Sequence, residues 1–302
     1  MAKPHTIRTG FPSSRTNRPS DPSIVSGVSP FRASASFTEH WKNFALGLED
    51  GVATVTFDRP EKLNALTFDV YADLRDLLAE LPQRGDTRVL VITGRGRGFC
   101  SGGDVHEIIG ELLKMEPHDL LEFTRMTGAV VQGLRECPLP VVAAVNGVAA
   151  GAGAVIALAA DLRVLARSAT FAFLFTKVGL AGADMGSAYL LPRLVGLGKA
   201  TELLMLGDTI DAAQADELGL AYEVVADDAL GDRTALLARR LAAGPALAYA
   251  STKMLLSKEL DMPLAGALEL EAMTQVLLMK SEDHKEFYAA FTEGRDPKWS
   301  GR

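Results

Sequence analysis

The run Arg88-Val89-Leu90-Val91-Ile92-Thr93 constrains the fold most, because nearly every residue in it is apolar. A strand with one wet face alternates polar and apolar side chains. An unbroken apolar run therefore marks a strand buried on both faces, the habit of parallel sheets covered by helices. A similar run returns at Val141-Val142-Ala143-Ala144-Val145, and Val52-Ala53-Thr54-Val55-Thr56-Phe57 and Leu162-Arg163-Val164-Leu165 also read as strands. Helical spacing fills the intervals. Residues 66 to 81 carry apolar side chains at Leu66, Val70, Leu74, Leu77, Leu78 and Leu81, and further helical stretches run from about 120 to 134 and from 152 to 160. Strands alternating with helices predict the α/β class. Past about residue 227 the strands stop, and helical patterns cover 228–241, 245–256, 264–280 and 282–293. Met273, Val276, Leu277, Leu278 and Met279 spread apolar surface beyond one stripe, so this region is expected to pack on a neighbouring subunit as well as on its own core.

The first 38 residues differ from this. Pro4, Pro12, Pro19, Pro22 and Pro30 are interleaved with Ser, Thr and Arg, and Asp21 is the only acid. Such a segment buries too little apolar surface to offset its ordering entropy, so 1–38 reads as a disordered extension, ahead of a core at 39–226 and a helical region at 227–302. Its composition also resembles that of an organellar transit peptide, but its prolines oppose the amphipathic helix that such peptides form. Over the whole chain, 31 Lys and Arg stand against 38 Asp and Glu, a formal net charge of −7 without a long basic block, which argues against nucleic acid as the partner. Cys100 and Cys137 are too few and too isolated for a disulfide framework or a structural zinc, so a cytoplasmic setting is expected. The most apolar stretch, about 139–160, is broken by Asn146, Gly147, Gly151 and Gly153 and does not read as a membrane span.

Three glycine-rich segments stand where a strand is expected to hand over to a helix: 94–104, 146–154 and 179–186. Glycine allows close approach to a ligand, and free amides at a helix start attract negative charge. Two such sources from different loops can form an oxyanion hole. Nucleotide binding fits less well: no GxxxxGK[ST] occurs, and Ile156 stands where a dinucleotide fingerprint has Gly or Ala. Small-residue packing between helix and strand is the better explanation of any one of the three turns taken singly, and a weaker one for three in a single chain.

These segments resemble the crotonase (enoyl-CoA hydratase/isomerase) superfamily from about residue 44 to the C-terminus. The likeness rests on Asp58-Arg59-Pro60-Glu61-Lys62-Leu63-Asn64-Ala65-Leu66, Phe99-Cys100-Ser101-Gly102-Gly103-Asp104, and Pro140-Val141-Val142-Ala143-Ala144-Val145-Asn146-Gly147 with Gly151-Ala152-Gly153. Leu191-Pro192-Arg193-Leu194-Val195-Gly196 and the segment 212–220 resemble later signatures of the same family. The resemblance implies a spiral core of ββα repeats, a helical C-terminal region that trimerises, and a coenzyme A thioester as substrate. It places the thioester oxygen on the amides of Gly103 and Ala152. Coenzyme A then lies along Lys62, Leu63, Ala65, Ser101, Asp104 and Val105, with His106 either a further phosphate contact or, as its residue type favours, a solvated side chain on a helix face. It also implies a homotrimer or a dimer of trimers in which Phe291 reaches the adenine bound by a neighbouring subunit, and no cofactor apart from the coenzyme A of the substrate.

The chain departs from the hydratase pattern where hydratases carry two glutamates. Val155 and Phe175 stand there as apolar lining of the acyl pocket, and neither can orient a water. Asp184 remains, at the position that resembles the acid/base of dienoyl-CoA isomerases and the nucleophile of aryl-CoA dehalogenases. An Asp before Met185-Gly186-Ser187 fits a helix cap equally well. The resemblance favours catalysis, and burial among Phe171, Phe173, Phe175 and Met185 would raise its pKa.

Double-bond isomerisation by Asp184 is therefore the leading expectation, followed by hydrolytic displacement and hydration. A coenzyme A-binding protein without chemistry is the alternative of a different class. Arg95 and Arg97 read as phosphate contacts or as solvated side chains, and Arg295 as a substitute for a family lysine displaced by Gly294. Ser101 has no evident triad partners, Cys100 reads as a core filler, and 161–163 as structural. His118 and His284 lack ligand spacing, so no metal is expected.

Overall fold

The computed structural model describes residues 36–302, so the expected extension lies, but for its last three residues, outside the described part. Thr38 is tied down: its backbone N–H and its hydroxyl both donate to the carboxylate of Glu80.

The chain opens with an antiparallel hairpin of β1 (Ala45–Glu49) and β2 (Val52–Phe57). Its turn is Asp50-Gly51, both left-handed, as a two-residue hairpin with the right twist requires. Helix α1 (Phe68–Arg84) starts at Thr67, whose side chain accepts from the Val70 N–H, and ends on left-handed Gly85. Next come β3 (Val89–Gly94), β4 (Gly98–Cys100), a wide helical turn at Val105–Ile109 running into α2 (Gly110–Leu112), and α3 (Pro117–Glu136). The pattern repeats as β5 (Val141–Val145), β6 (Val148–Ala150) and α4 (Ala152–Ala159), then β7 (Leu162–Ala166) and β8 (Thr170–Ala172). The chain continues with α5 (Ser187–Val195), α6 (Leu197–Leu206), β9 (Ile210–Asp211), α7 (Ala212–Glu217) and β10 (Glu223–Val225). Helices α8 (Leu230–Ala242), α9 (Ala246–Glu259), α10 (Leu264–Met279) and α11 (Glu282–Glu293) complete it.

Two sheets result, ordered β1-β2-β3-β5-β7-β10 and β4-β6-β8-β9. Each successive strand pair gives one strand to each sheet: β3, β5 and β7 run parallel in the first, β4, β6 and β8 parallel in the second. This is a spiral of ββα turns. Two of the glycine segments differ from expectation here, because after β3 and β5 the turn leads into a second, three-residue strand before any helix begins. All of β5 and all of α4 are buried, which is why neither shows amphipathic alternation. Helix α8 packs on β2, β3, β5 and β7. At the other extreme, α10 and α11 expose Leu264, Leu268, Val276, Leu277, Tyr288 and Phe291. No helix among the described residues is long and apolar enough to cross a membrane.

Candidate active site

The segment after β2 makes the first wall. Leu63 and Asn64 are both left-handed, a conformation that Asn tolerates and Leu adopts only under local constraint. The constraint is visible in the hydrogen bonds. The Asn64 side chain accepts from the Arg59 N–H and donates to the carbonyls of Arg95 and Gly98. Next, the Ser101 N–H donates to Leu63 O and the Ser101 hydroxyl to Lys62 O. Leu66 N–H donates to Gly102 O, and Asp104 N–H returns to Leu66 O. Lys62, Leu63, Ala65, Ser101, Gly103, Asp104 and Val105 are thus brought together through backbone groups.

Asp104 has a role the sequence did not show. Its carboxylate accepts from the N–H groups of His106 and Glu107, capping the turn that follows, and pairs with Arg59 at 3.3 Å. The Glu107 N–H chiefly, then the His106 N–H and the charges of Lys62 and Arg59, hold its pKa below the usual carboxylate value, against the opposing effect of burial. Arg59 itself went unread: it also donates to Ala65 O and pairs with Glu107, so one guanidinium joins both segments of this wall. Its signal was the Asp58-Arg59-Pro60 run.

The second wall is the start of α4. Gly151, with φ +51, turns the chain so that Ala152 begins the helix with a free N–H. The two glycine loops touch: a Cβ added to Gly102 would lie 3.5 Å from the Ala152 nitrogen, and one on Gly153 would lie 2.1 Å from the Cys100 carbonyl oxygen. No alanine fits at 153 without separating α4 from β4. Neither Gly103 nor Ala152 donates its N–H to another described residue, so each of the two touching loops carries a free amide. At the far end of α4, buried Arg163 donates to the carbonyls of Ala157, Leu158 and Ala160, and to Leu220 O. Burial pulls its pKa down to about 10, with partial compensation from Asp161.

The loop before α5 carries Asp184. Its anchors are Ser187, whose hydroxyl donates to Gly182 O and accepts from the Asp184 N–H, and Gly182, packed against the Leu204 carbonyl. The carboxylate accepts only from the Met185 N–H, at 2.8 Å, among the described residues. It caps neither amide two or three residues on, and α5 has no side-chain cap. Met185, with φ +50, and Gly186 turn the chain away instead. Burial raises the Asp184 pKa above the ordinary aspartate value, and the Met185 N–H offsets part of that rise. Val155 and Phe175 are both buried.

Other expected residues lie apart or have other work. His106 is exposed, Arg95 pairs with Asp58, and Arg295 is held by Glu286 and Glu293, its charge already engaged. Phe291 lies on α11, 75 % exposed and stacked on Phe287. Burial drives the Cys100 thiol up to about 12, partly offset by a hydrogen bond from the Gly102 backbone, which fits a core filler rather than a nucleophile. Asp161 is structural, accepting from the Val141 N–H and pairing with Lys253. His118, Asp119 and Glu122 place ligand-type atoms within 4.8 Å of one another on the exposed start of α3, a cluster the sequence spacing did not show.

Two ββα turns in contact, with the N–H groups of Gly103 and Ala152 left without an acceptor among the described residues, define a spiral α/β protein with free donors at the junction of its turns. Comparison with known proteins gives the family. A sequence model of the enoyl-CoA hydratase/isomerase family matches residues 47–302, and the chain belongs to that family. It is 38 % identical to a 1,2-epoxyphenylacetyl-CoA isomerase of Escherichia coli (strain K12) over 84 % of this chain and 97 % of that one. It is 40 % identical to a Rhodobacter capsulatus protein described as an enoyl-CoA hydratase, over 84 % and 96 %. The crystal structure of a Streptomyces coelicolor A3(2) protein described as an enoyl-CoA hydratase superposes with a TM-score of 0.89 at 63 % identity, covering 91 % of this chain and all of that one.

Proposed function

We propose that the chain isomerises an acyl-CoA thioester through an enolate, with Asp184 as the only acid/base. What supports this is the desolvated Asp184 carboxyl group, which accepts only from the Met185 N–H among the described residues, with Val155 and Phe175 at the positions that the family resemblance assigns to the hydratase glutamates. The thioester oxygen lies between the N–H groups of Gly103 and Ala152. Asp184, as carboxylate, takes a proton from the carbon next to the carbonyl, and the C–H electron pair moves toward the carbonyl oxygen. Charge gathers where two donors already point, so little reorganisation is needed. With a 3-enoyl chain the intermediate is a dienolate. The same carboxyl group returns its proton to the fourth carbon, the carbonyl re-forms, and the double bond ends next to it. One group working alone suits this shuttle, whereas adding water requires a second to activate the water.

The coenzyme A arm lies along the backbone of Lys62, Leu63, Ala65, Ser101 and Val105, and its binding energy positions the reacting carbon. Coenzyme A enters as part of the substrate. The Escherichia coli relative, an isomerase by its name, fits this reading. The test is product identification by mass and ultraviolet spectrum after incubation with 2-enoyl-, 3-enoyl-, dienoyl- and aryl-CoA thioesters. An isomer of unchanged mass is expected. Gain of water would replace the reading with hydration, free coenzyme A with hydrolysis, and unchanged thioesters with a binding protein.

A further inference from the structure

Only Met185 and Gly186 separate Asp184 from α5, and the loop is threaded onto the first turn of that helix. The Asp184 N–H donates to the Ser187 hydroxyl, the Ser187 N–H returns to Asp184 O, and the Tyr189 N–H donates to Gly186 O. Where α5 points, the carboxyl group follows. Yet the helix is weakly held by its own residues: no side chain caps it, and Pro192 has no N–H to give to Ala188 O. Packing does not fill the space toward α9 either. A cavity of about 740 Å³ opens between α3, α5 and α9, and Met185, Gly186, Tyr189 and Leu190 line it.

Three side chains span that gap. The Tyr189 hydroxyl donates to the Asp261 carboxylate, and Arg193 pairs with the same carboxylate at 2.7 Å. The Arg193 guanidinium also lies over the Tyr189 ring, 3.6 Å from its centroid, and donates to Tyr189 O. Asp261 is a fixed post. It follows α9 directly, its N–H donating to Lys258 O, and α9 is fastened to the core by Lys253, whose ammonium donates to Leu134 O and Leu139 O and pairs with Asp161. Tyr189, Arg193 and Asp261 are all partly exposed, so the cluster adds little to stability. Two bonds from α5 meeting on one carboxylate still fix the direction of the helix.

We propose that Tyr189, Arg193 and Asp261 are positioning residues, a latch that aims the Asp184 carboxyl group by tying the start of α5 to the corner between α9 and α10. This rests on the reading of Asp184 as the base and adds the residues that hold it in place. None of the three touches the substrate; they act through α5 and Ser187.

The experiment measures α-proton exchange of butanoyl-CoA in heavy water against thioester concentration, for wild type, Tyr189→Phe, Asp261→Asn and the double variant. Each single variant is expected to exchange about tenfold more slowly at saturation, with half-saturation within about twofold of wild type, because a displaced base loses reach while the coenzyme A contacts stay. The double variant should lose no more than the worse single one, since both changes break one network. Glu223→Gln, which breaks a comparably exposed pair with Arg233, is the control and should exchange at the wild-type rate. Exchange at the wild-type rate in either single variant at saturation overturns the proposal, as do losses that multiply in the double variant. A calorimetric count of the sites that bind butanoyl-CoA separates aim from unfolding, and sites lost in proportion to rate also overturn it. Where wild type exchanges and the variants match it, the reading of Asp184 stands and the latch falls; where wild type exchanges nothing, both fall.

Discussion

Alanine at position 153 would place a methyl carbon 2.1 Å from the carbonyl oxygen of Cys100 and 2.7 Å from its Cβ. Real Cβ contacts stay beyond 3.0 Å, so about 0.9 Å must open between the start of α4 and β4. Both partners are backbone or close to it, and α4 is buried along its whole length, so no flexible side chain absorbs the shift. The overpacking costs roughly 1–3 kcal/mol of stability. The larger consequence is for the site, because the helix that moves carries the Ala152 amide and the strand it moves from leads to Gly103. A misplacement of about 1 Å in such a donor pair lowers turnover by ~10²-fold. The assay is the rate at which Gly153→Ala exchanges the α-proton of butanoyl-CoA with heavy water, alongside its melting temperature. Gly128→Ala is the control, since a Cβ there meets nothing within 4 Å in the middle of α3. It should keep full exchange and equal or greater stability. A folded Gly153→Ala protein exchanging at the wild-type rate would refute the reasoning.

Other outcomes follow from the same geometry. Asp104→Asn keeps a cap of weaker charge and loses the ion pair with Arg59, so a loss of ~1 kcal/mol at neutral pH is expected. Because the folded-state pKa of Asp104 is lowered, its contribution is full above the ordinary aspartate value and is lost as pH falls through the folded value; acid melts of wild type and variant should converge there. Asp184 has the opposite sign. Its raised pKa makes the ionised form a liability, so stability falls as pH climbs from the ordinary value through the folded one, and Asp184→Asn should melt above wild type at pH 7. The acid limb of activity should lie above the ordinary aspartate pKa, as a pH–rate profile will show. Sedimentation should find wild type as a trimer or its multiple, and Leu277→Asp, on the exposed apolar surface of α10, should shift it toward monomer.

What could be read from the sequence was whatever repeats over enough residues. The strands β2, β3, β5 and β7 are long and apolar enough to announce themselves, and α1 shows its buried stripe. The strands β4, β6 and β8 have three residues each, too few for any periodicity, so two of the glycine segments read as direct strand-to-helix turns. Gly103 and Ala152 were placed by motif resemblance, and the structure supplies the contact between their loops. Asp184 as cap or acid could not be decided in one dimension, since the choice depends on left-handed Met185 and Gly186. Asp104 and Arg59 were obscured differently: their partnership spans 45 residues.

The most direct test of the central claim is α-proton exchange by wild type and Asp184→Asn, each incubated in heavy water with one saturated and one 3-enoyl-CoA thioester and followed by mass spectrometry. The Asn side chain can retain the bond from the Met185 N–H, so the loop keeps its anchors while losing its base. The account predicts deuterium gain with wild type and a loss of at least ~10²-fold in Asp184→Asn, in the range of a removed general base. Exchange that persists unchanged in Asp184→Asn would contradict it.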